Sequence, residues 1–297
     1  MVSRRRGFDA AGGERKAFTL VELLVSISVV SFVAAILLPV LSAARRRARF
    51  VVCGNNQRQI VQAVNVFAAD NDGFYPESVA TLGTIDHFWN WQEPMMLIGY
   101  TARSPRMHRS VSAYLRAYIS SANVFHCPGA PARYKYLRQA WEAGDEWDNP
   151  ETPVRTDPLS GTYCLYWGYT GRLERRDHLF YGPQSSAASP SQSRLLVTDY
   201  FGHDHYRSPQ AYGSSERFAG ASVTEGTLLS SSYWSGRSGA PARPEIKLHA
   251  GYTDGRVETW QASDAVAMKV IVDIKTGEPY RPGIGPGKFY LPENALH

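Results

Sequence analysis

The hydrophobic pattern changes character part-way along the N-terminal third of the chain. From Phe18 to Leu41 apolar residues dominate 24 consecutive positions, and Glu22 is the one ionisable side chain among them. As a helix this stretch spans roughly 36 Å, enough to cross the hydrocarbon core of a bilayer. Beyond it the apolar positions thin out to Phe50, Cys53, Ile60, Val64 and Phe67, close to a helical period with one buried face. Gly54, Asn55 and Asn56 weaken the middle of that second part. Asn71-Asp72-Gly73 and then Pro76 mark its end, since these residues turn the chain and resist helical continuation. The pattern predicts one rod from Phe18 to about Ala69, 52 residues and roughly 78 Å if unbroken. Its first half belongs in a membrane and its second half needs a body to pack on.

The remainder reads as that body. Residues 77–110 hold the aromatic group Phe88, Trp89 and Trp91, and Val111 to Ile119 reads as a short helix with Val111, Tyr114, Leu115 and Tyr118 on one side. Trp141 to Pro158 carries six acidic residues and three prolines, the composition of a surface loop. Strands are expected at Thr162–Tyr169, Leu195–Tyr200, Glu245–His249 and Arg256–Trp260, with Asp254-Gly255 as a hairpin turn because glycine tolerates positive φ. Ser185–Ser193 and Ser230–Ala242 are loop-like, and no internal repeat is visible. The expected fold class is α+β: a leader over 1–17, a long N-terminal helix over 18–70 with a transmembrane part at 18–41, and a body over 71–297 with a small antiparallel sheet packed on the helix.

Composition supports a folded body. Hydrophobic residues make up 43% of the 297, with seven Trp and seventeen Tyr, enough to build a sizeable core. The net charge of +5 is unevenly distributed. Residues 1–17 hold five basic and two acidic groups (+3), residues 18–58 five and one (+4), and residues 59–297 twenty-two and twenty-four (−2). The basicity flanks the apolar span, so the body offers no electrostatic footprint for nucleic acid. Arg4, Arg5, Arg6, Arg15 and Lys16 precede the span and Arg45, Arg46, Arg47 and Arg49 follow it, so the charge rule leaves orientation open. The three cysteines are Cys53, Cys127 and Cys164, an odd count that gives one disulfide and one spare thiol in an oxidising compartment. The favoured pair is Cys53 with Cys127, which ties the helix to the body; Cys127 with Cys164 is the rival. No two cysteines have zinc-ligand spacing.

Phe18-Thr19-Leu20-Val21-Glu22 after a short basic leader resembles the prepilin signature of type IV pilins and type II secretion pseudopilins. The resemblance implies cleavage between Ala17 and Phe18 by a prepilin peptidase, N-methylation of Phe18 by the same enzyme, and a role for Glu22 in assembly. Pro39 falls where many of these proteins carry a helix-loosening proline, whereas Ala17 stands where the family strongly prefers glycine. CGNNQRQIVQAVNVFAADNDGFYP, together with Phe125, Cys127 and Pro128, resembles a pseudopilin-like family common in planctomycetes and verrucomicrobia. KLHAGYTDGRVETW is similar to that family's C-terminal element, with a shorter interval between His249 and Asp254 than the usual form. The resemblance implies an extracytoplasmic body, and it implies partners: the inner membrane and other pseudopilin subunits through their N-terminal helices.

The motif also has a physical rationale. Cleavage after Ala17 leaves an ammonium on Phe18 at the positive end of a helix dipole, which is unfavourable without a nearby anion. Glu22 lies four residues on, over the same face, and supplies that anion to its own chain or a neighbour. Pro39 removes a backbone donor and crowds the carbonyl of Ala35, which kinks or loosens the helix. Arginines after the span suit anionic headgroups.

Other chemistry is sparse. Asp199, His203, Asp204 and His205, with His249 and Asp254 later, form the densest set of metal-type ligands, yet the spacing fits no metalloenzyme pattern, and a polar loop plus a core strand explains them. No DxDxDG run places a calcium ion. No GxSxG, HExxH or phosphate-binding glycine loop is present, and Cys127 beside His126 lies on an extended segment where neighbours point apart. Neither catalytic residues, a metal nor a cofactor is expected. Trp89, Trp91, Trp141 and Trp147 read as core or loop anchors rather than a sugar-stacking surface.

The chain thus reads as a membrane-anchored structural subunit of a secretion-like or pilus-like fibre, single-pass in the inner membrane with its body on the periplasmic side. A tethered binding or enzymatic ectodomain using a prepilin-like export signal is the alternative. A plain anchor and a secretory signal removed after Ala44 complete the set. The mature N terminus separates them: Phe18 for the processed subunit, Met1 for the anchor, Arg45 for the removed signal.

Overall fold

A computed structural model describes residues 18–80, 94–98, 110–128, 137–146, 161–173, 179–187, 189–203, 212–213, 247–261, 264–269 and 288–296. The chain divides into two compact units, Met1–Arg45 and Arg46–His297. Helix α1 (Leu20–Asp70, 51 residues) contributes to both. The division falls inside the helix rather than at its end because the part beyond Arg45 packs with the body's core.

In the first unit the described part is the apolar stretch of α1. Its large side chains from Phe18 to Leu41 are between 47% and 78% exposed on every face. The most apolar 18-residue window has a mean hydropathy of 2.6 and nothing covering it, so this is one helix long and apolar enough to cross a membrane. A helix apolar all round is stable only in an apolar surround. Three of its serines bond within the helix: Ser26 Oγ donates to the carbonyl of Glu22 at 2.6 Å, Ser28 Oγ to Leu24 at 2.7 Å and Ser42 Oγ to Pro39 at 2.8 Å. Such bonds remove the cost of an unpaired donor in hydrocarbon. Helical structure is continuous through Pro39 and through Gly54-Asn55-Asn56.

In the second unit α1 buries Cys53, Gln57, Ile60, Val64 and Ala68, one residue per turn along one face. Phe50 and Phe67 are half-buried at its margins. The helix closes as the Asn-Asp-Gly signal predicts. Asp72 has φ 52° and Gly73 φ 82°, and the Gly73 amide donates to the carbonyl of Ala68 at 2.7 Å, which satisfies a carbonyl the last turn would leave open.

Ten strands are described: β1 (Tyr163–Leu165), β2 (Thr170–Leu173), β3 (Leu179–Tyr181), β4 (Leu195–Asp199), β5 (Phe201–His203), β6 (Tyr212–Gly213), β7 (Lys247–Tyr252), β8 (Val257–Gln261), β9 (Ala265–Lys269) and β10 (Lys288–Pro292). The expected small antiparallel sheet is two sheets. One has the order β1-β4-β7-β8 and the other β3-β2-β9-β10-β5-β6. Every described pairing is antiparallel. The chain passes from the first sheet to the second three times, after β1, β4 and β8, and between β4 and β5 it does so through the single buried residue Tyr200. All five residues of β4 are buried, as befits a strand covered on both faces. β9 instead alternates buried and half-buried positions. The β7–β8 hairpin turns at Asp254-Gly255 with Gly255 at φ 88°.

Two helical expectations change. Helix α2 covers Val111–Leu115 and continues only as turns to Ile119, whose amide still donates to the carbonyl of Leu115 at 2.8 Å. The stretch from Trp141 is not loop at its start: α3 (Leu137–Ala143) and a 3-10 turn (Gly144–Glu146) occupy it. The apolar set Leu137, Ala140 and Trp141 is buried, and Trp141 packs 5.1 Å from Phe125, centroid to centroid. That spacing of three and four residues outweighs the acidic, proline-rich continuation, which lies outside the described residues together with Phe88, Trp89, Trp91 and Trp147.

Two outcomes follow from this packing. Ile60→Ala removes a fully buried side chain and lowers stability by about 2–5 kcal/mol, whereas Leu24→Ala in the uncovered stretch changes it by under about 0.5 kcal/mol; denaturant titration of the detergent-solubilised chain compares them. Burial pushes the Tyr75 phenol up to about 12 and holds those of Tyr163 and Tyr166 well above their usual value. Unfolded phenols deprotonate near pH 10, so the stability these three contribute is complete below pH 10 and is lost as pH rises from there, through about 12 for Tyr75. Absorbance titration at 295 nm should show a tyrosine class that ionises late, together with loss of circular dichroism.

Candidate functional site

The N terminus of α1 carries the residues singled out for processing and assembly. Thr19 caps the helix: its carbonyl accepts from the Leu23 amide at 3.1 Å, and its hydroxyl accepts from the Glu22 amide at 3.2 Å. Glu22 answers in reverse. Its Oε2 accepts from the Thr19 amide at 2.9 Å and from the Thr19 hydroxyl at 2.8 Å. This is a capping box, in which a Thr at the cap and a Glu three residues later satisfy each other's open donors. Glu22 was expected opposite a future amine; in the uncut chain its partner is Thr19, and the T-x-x-E spacing of these two residues was the signal.

Phe18 is 76% exposed. In the uncut chain it has a peptide nitrogen, so the ammonium–carboxylate pair belongs to the processed form. Ala17 and the leader lie outside the described residues. Pro39 sits within α1, and the carbonyl of Pro39 takes the Ser42 hydroxyl noted above.

The second cluster lies where α1 first becomes buried. Cys53 and Cys127 form a disulfide with their Cα atoms 5.3 Å apart, and Cys164 is a free, buried thiol. Next to Cys53, a Cβ on Gly54 would stand 3.0 Å from His249 Nε2 and 3.1 Å from its Cδ2, so glycine lets the helix approach that ring closely. Phe50, one turn earlier, stacks on the same imidazole with centroids 4.0 Å apart. Asn56 Nδ2 donates to the His126 carbonyl at 3.1 Å and to the Tyr163 hydroxyl at 3.3 Å. The Asn-rich stretch that weakens an isolated helix is therefore what fastens this one.

Among the described members of the six residues considered as metal ligands, Asp199 and His249 come together. Asp199 Oδ2 accepts from the His249 amide at 2.6 Å and lies 3.2 Å from His249 Nδ1, both side chains being buried. Trp260 Nε1 donates to the His249 carbonyl at 3.2 Å. Asp254 serves the hairpin, accepting from the Arg256 amide at 3.1 Å. His203 lies on β5 in register with Lys288, and Asp204 and His205 are outside the described residues. Among the described residues no three His, Cys, Asp or Glu side chains converge as a metal site. Asp199–His249 is instead a buried polar tie between β4 and β7, capped by Phe50 and Gly54.

Residues 14–38 match the family model for the prokaryotic N-terminal methylation motif. The matched segment contains Ala17, Phe18, the capping box and most of the apolar stretch, and it stops one residue short of Pro39. No curated protein and no solved structure matches the chain. The chain therefore carries a prepilin-type methylation motif, which implies processing by a prepilin peptidase and association with a membrane.

The disulfide supplies a direct test of the second cluster. Cys53→Ser, which opens the bond, lowers the stability of the body by about 2–5 kcal/mol, read as a fall in the thermal midpoint under non-reducing conditions. Peptide mapping without reduction should recover Cys53 linked to Cys127 and Cys164 free.

Proposed function

We propose that this chain is a membrane-anchored, pseudopilin-like structural subunit. A prepilin peptidase cuts between Ala17 and Phe18 and methylates the new amine, and the processed α1 helices bundle into a type II secretion-like or type IV pilus-like fibre. The observation that carries this reading is the uncovered stretch from Phe18 to Leu41, apolar on every face and with its one carboxylate at the helix start. Such a surface is satisfied first by lipid and then by identical helices of neighbouring subunits. Pro39 gives the bundle a point at which individual helices adjust.

The orientation follows the same reading. The basic leader stays cytoplasmic and the body lies on the outer, periplasmic side of the inner membrane. The Cys53–Cys127 disulfide supports this, because such bonds persist in oxidising compartments. The subunit works as a building block rather than as an enzyme; Cys127, the one cysteine adjacent to a histidine, is held in the disulfide.

Glu22→Ala tests the proposal. Cleavage is expected at the wild-type rate, with Phe18 as the N-methylated first residue by mass spectrometry, while incorporation into the sheared fibre fraction falls at least about tenfold. A wild-type chain whose mature product begins at Met1 or Arg45 removes the processing step and the proposal with it. Normal function of Glu22→Ala without assembly would favour a tethered ectodomain instead. Ala17→Gly should speed cleavage in a pulse-chase experiment, since the peptidase family favours glycine at that position.

A further inference from the structure

An open groove of about 500 Å³ lies at the outer end of α1, in the second unit, lined by Phe67, Asn71, Phe74, Glu77, Tyr114 and Asp145 among others. Phe74 is 62% exposed although it is a large apolar side chain. Phe67 and Tyr114 meet edge to face at 5.9 Å, so part of their ring surface faces the groove. Carboxylates complete the wall. Glu77 Oε2 accepts from the Tyr114 hydroxyl at 3.1 Å, and Asp145 Oδ1 accepts from the Ser110 amide at 2.8 Å. Asp70 and Asp72 stand at the adjoining helix end, Asp70 accepting from the Tyr118 hydroxyl at 2.9 Å.

Aromatic faces beside carboxylates are the surroundings a guanidinium prefers, because its plane stacks on rings while its edge donates to oxygen. The same chain displays such groups. Arg45, Arg46 and Arg47 are exposed on α1, and among the described residues no carboxylate pairs with them. They cannot reach their own groove: Arg46 and Phe67 are 21 residues apart on one helix, roughly 32 Å, far more than an arginine side chain spans.

We infer that the groove receives Arg46 and Arg47 of a second copy, displaced along the helix axis by about that distance. This inference rests on the fibre reading and adds a register to it. Apolar helices packed side by side slide with little penalty, whereas charged side chains entering an aromatic, acidic groove fix one stagger.

The test uses full-length chain in the sheared fibre fraction of cells that process it. Arg46→Cys combined with Phe74→Cys should give a non-reducing ladder of linked subunits that neither single variant gives. Arg46→Glu and Glu77→Lys should each lower fibre yield about tenfold, and the double variant should recover to within about threefold of wild type. All variants are scored only where the Cys53–Cys127 bond is intact, which certifies the body. Leu24→Cys reports helix bundling independently. If its self-linked product forms while the Arg46/Phe74 pair stays unlinked and charge reversal has no effect, the groove assignment is overturned and the fibre reading stands. If Arg46→Glu lowers membrane retention and Glu77→Lys does not rescue it, the arginines serve anionic headgroups and the assignment is overturned. If Leu24→Cys does not link and no fibre forms, the fibre reading fails and the assignment goes with it.

Discussion

The structure depends on one helix meeting two solvents. Up to Leu41 the side chains of α1 have no protein cover, so each apolar group there is stable only in lipid or against another such helix. From Cys53 onward one face is buried at every turn. Between them stand the arginines of 45–49, which cannot enter hydrocarbon and need not enter a core. The change of environment is thus written as composition: all apolar, then charged, then one apolar stripe. A body that must hold such a helix needs fastening at the point where burial starts, and that is where Cys53, Gly54 and Asn56 act. The disulfide fixes position, glycine permits contact with the His249 ring, and the amide of Asn56 satisfies the His126 carbonyl. None of the three would be chosen for helix propensity, and each has a partner that outweighs that deficit.

The two clusters illustrate what a sequence makes legible. The apolar span, the end of α1 at Asn71-Asp72-Gly73 and the hairpin at Asp254-Gly255 are local signals whose physics acts within a few residues, and each is found where expected. The strands β4, β7 and β8 were also readable from short apolar runs. The strands β5, β6, β9 and β10 were not, because two to five residues of mixed polarity become strand only when neighbours pair with them. Helix α3 was masked by the acidic, proline-bearing segment that follows it, although Leu137, Ala140 and Trp141 already carried the helical spacing. Asp199 and His249 were noticed for their chemistry, yet they are 50 residues apart, and their contact is set by the register of β4 on β7, which no spacing rule reveals.

The polar tie between Asp199 and His249 also explains why those residues are better read as structure than as ligands. A buried carboxylate is unfavourable unless its oxygens are engaged. Asp199 Oδ2 is engaged by the His249 amide and approached by its ring, Oδ1 has no hydrogen-bond partner among the described residues, and Phe50 and Gly54 lie against the imidazole. The result links β4, β7 and α1 through one side chain. Removing the imidazole would leave Asp199 Oδ2 with the backbone amide of residue 249 alone, at the cost of the side-chain contact within a buried site.

Glu22 obeys the same rule of burial and partnership in the uncut chain and in the proposed processed form. A carboxylate in the apolar stretch is costly, but less so at the helix end than at its centre. In the uncut chain Thr19 offers it a backbone and a hydroxyl donor, and the open amides of the first turn favour negative charge. The proposed cleavage after Ala17 would add a cation at Phe18 and leave the Thr19 amide and hydroxyl donors covalently intact. The carboxylate then faces two claims, from its own Thr19 and from an ammonium, and it has two oxygens to meet them. In the uncut chain Thr19 already holds this side chain at the helix start, so under the proposed function the carboxylate is in place before a peptidase would create its partner.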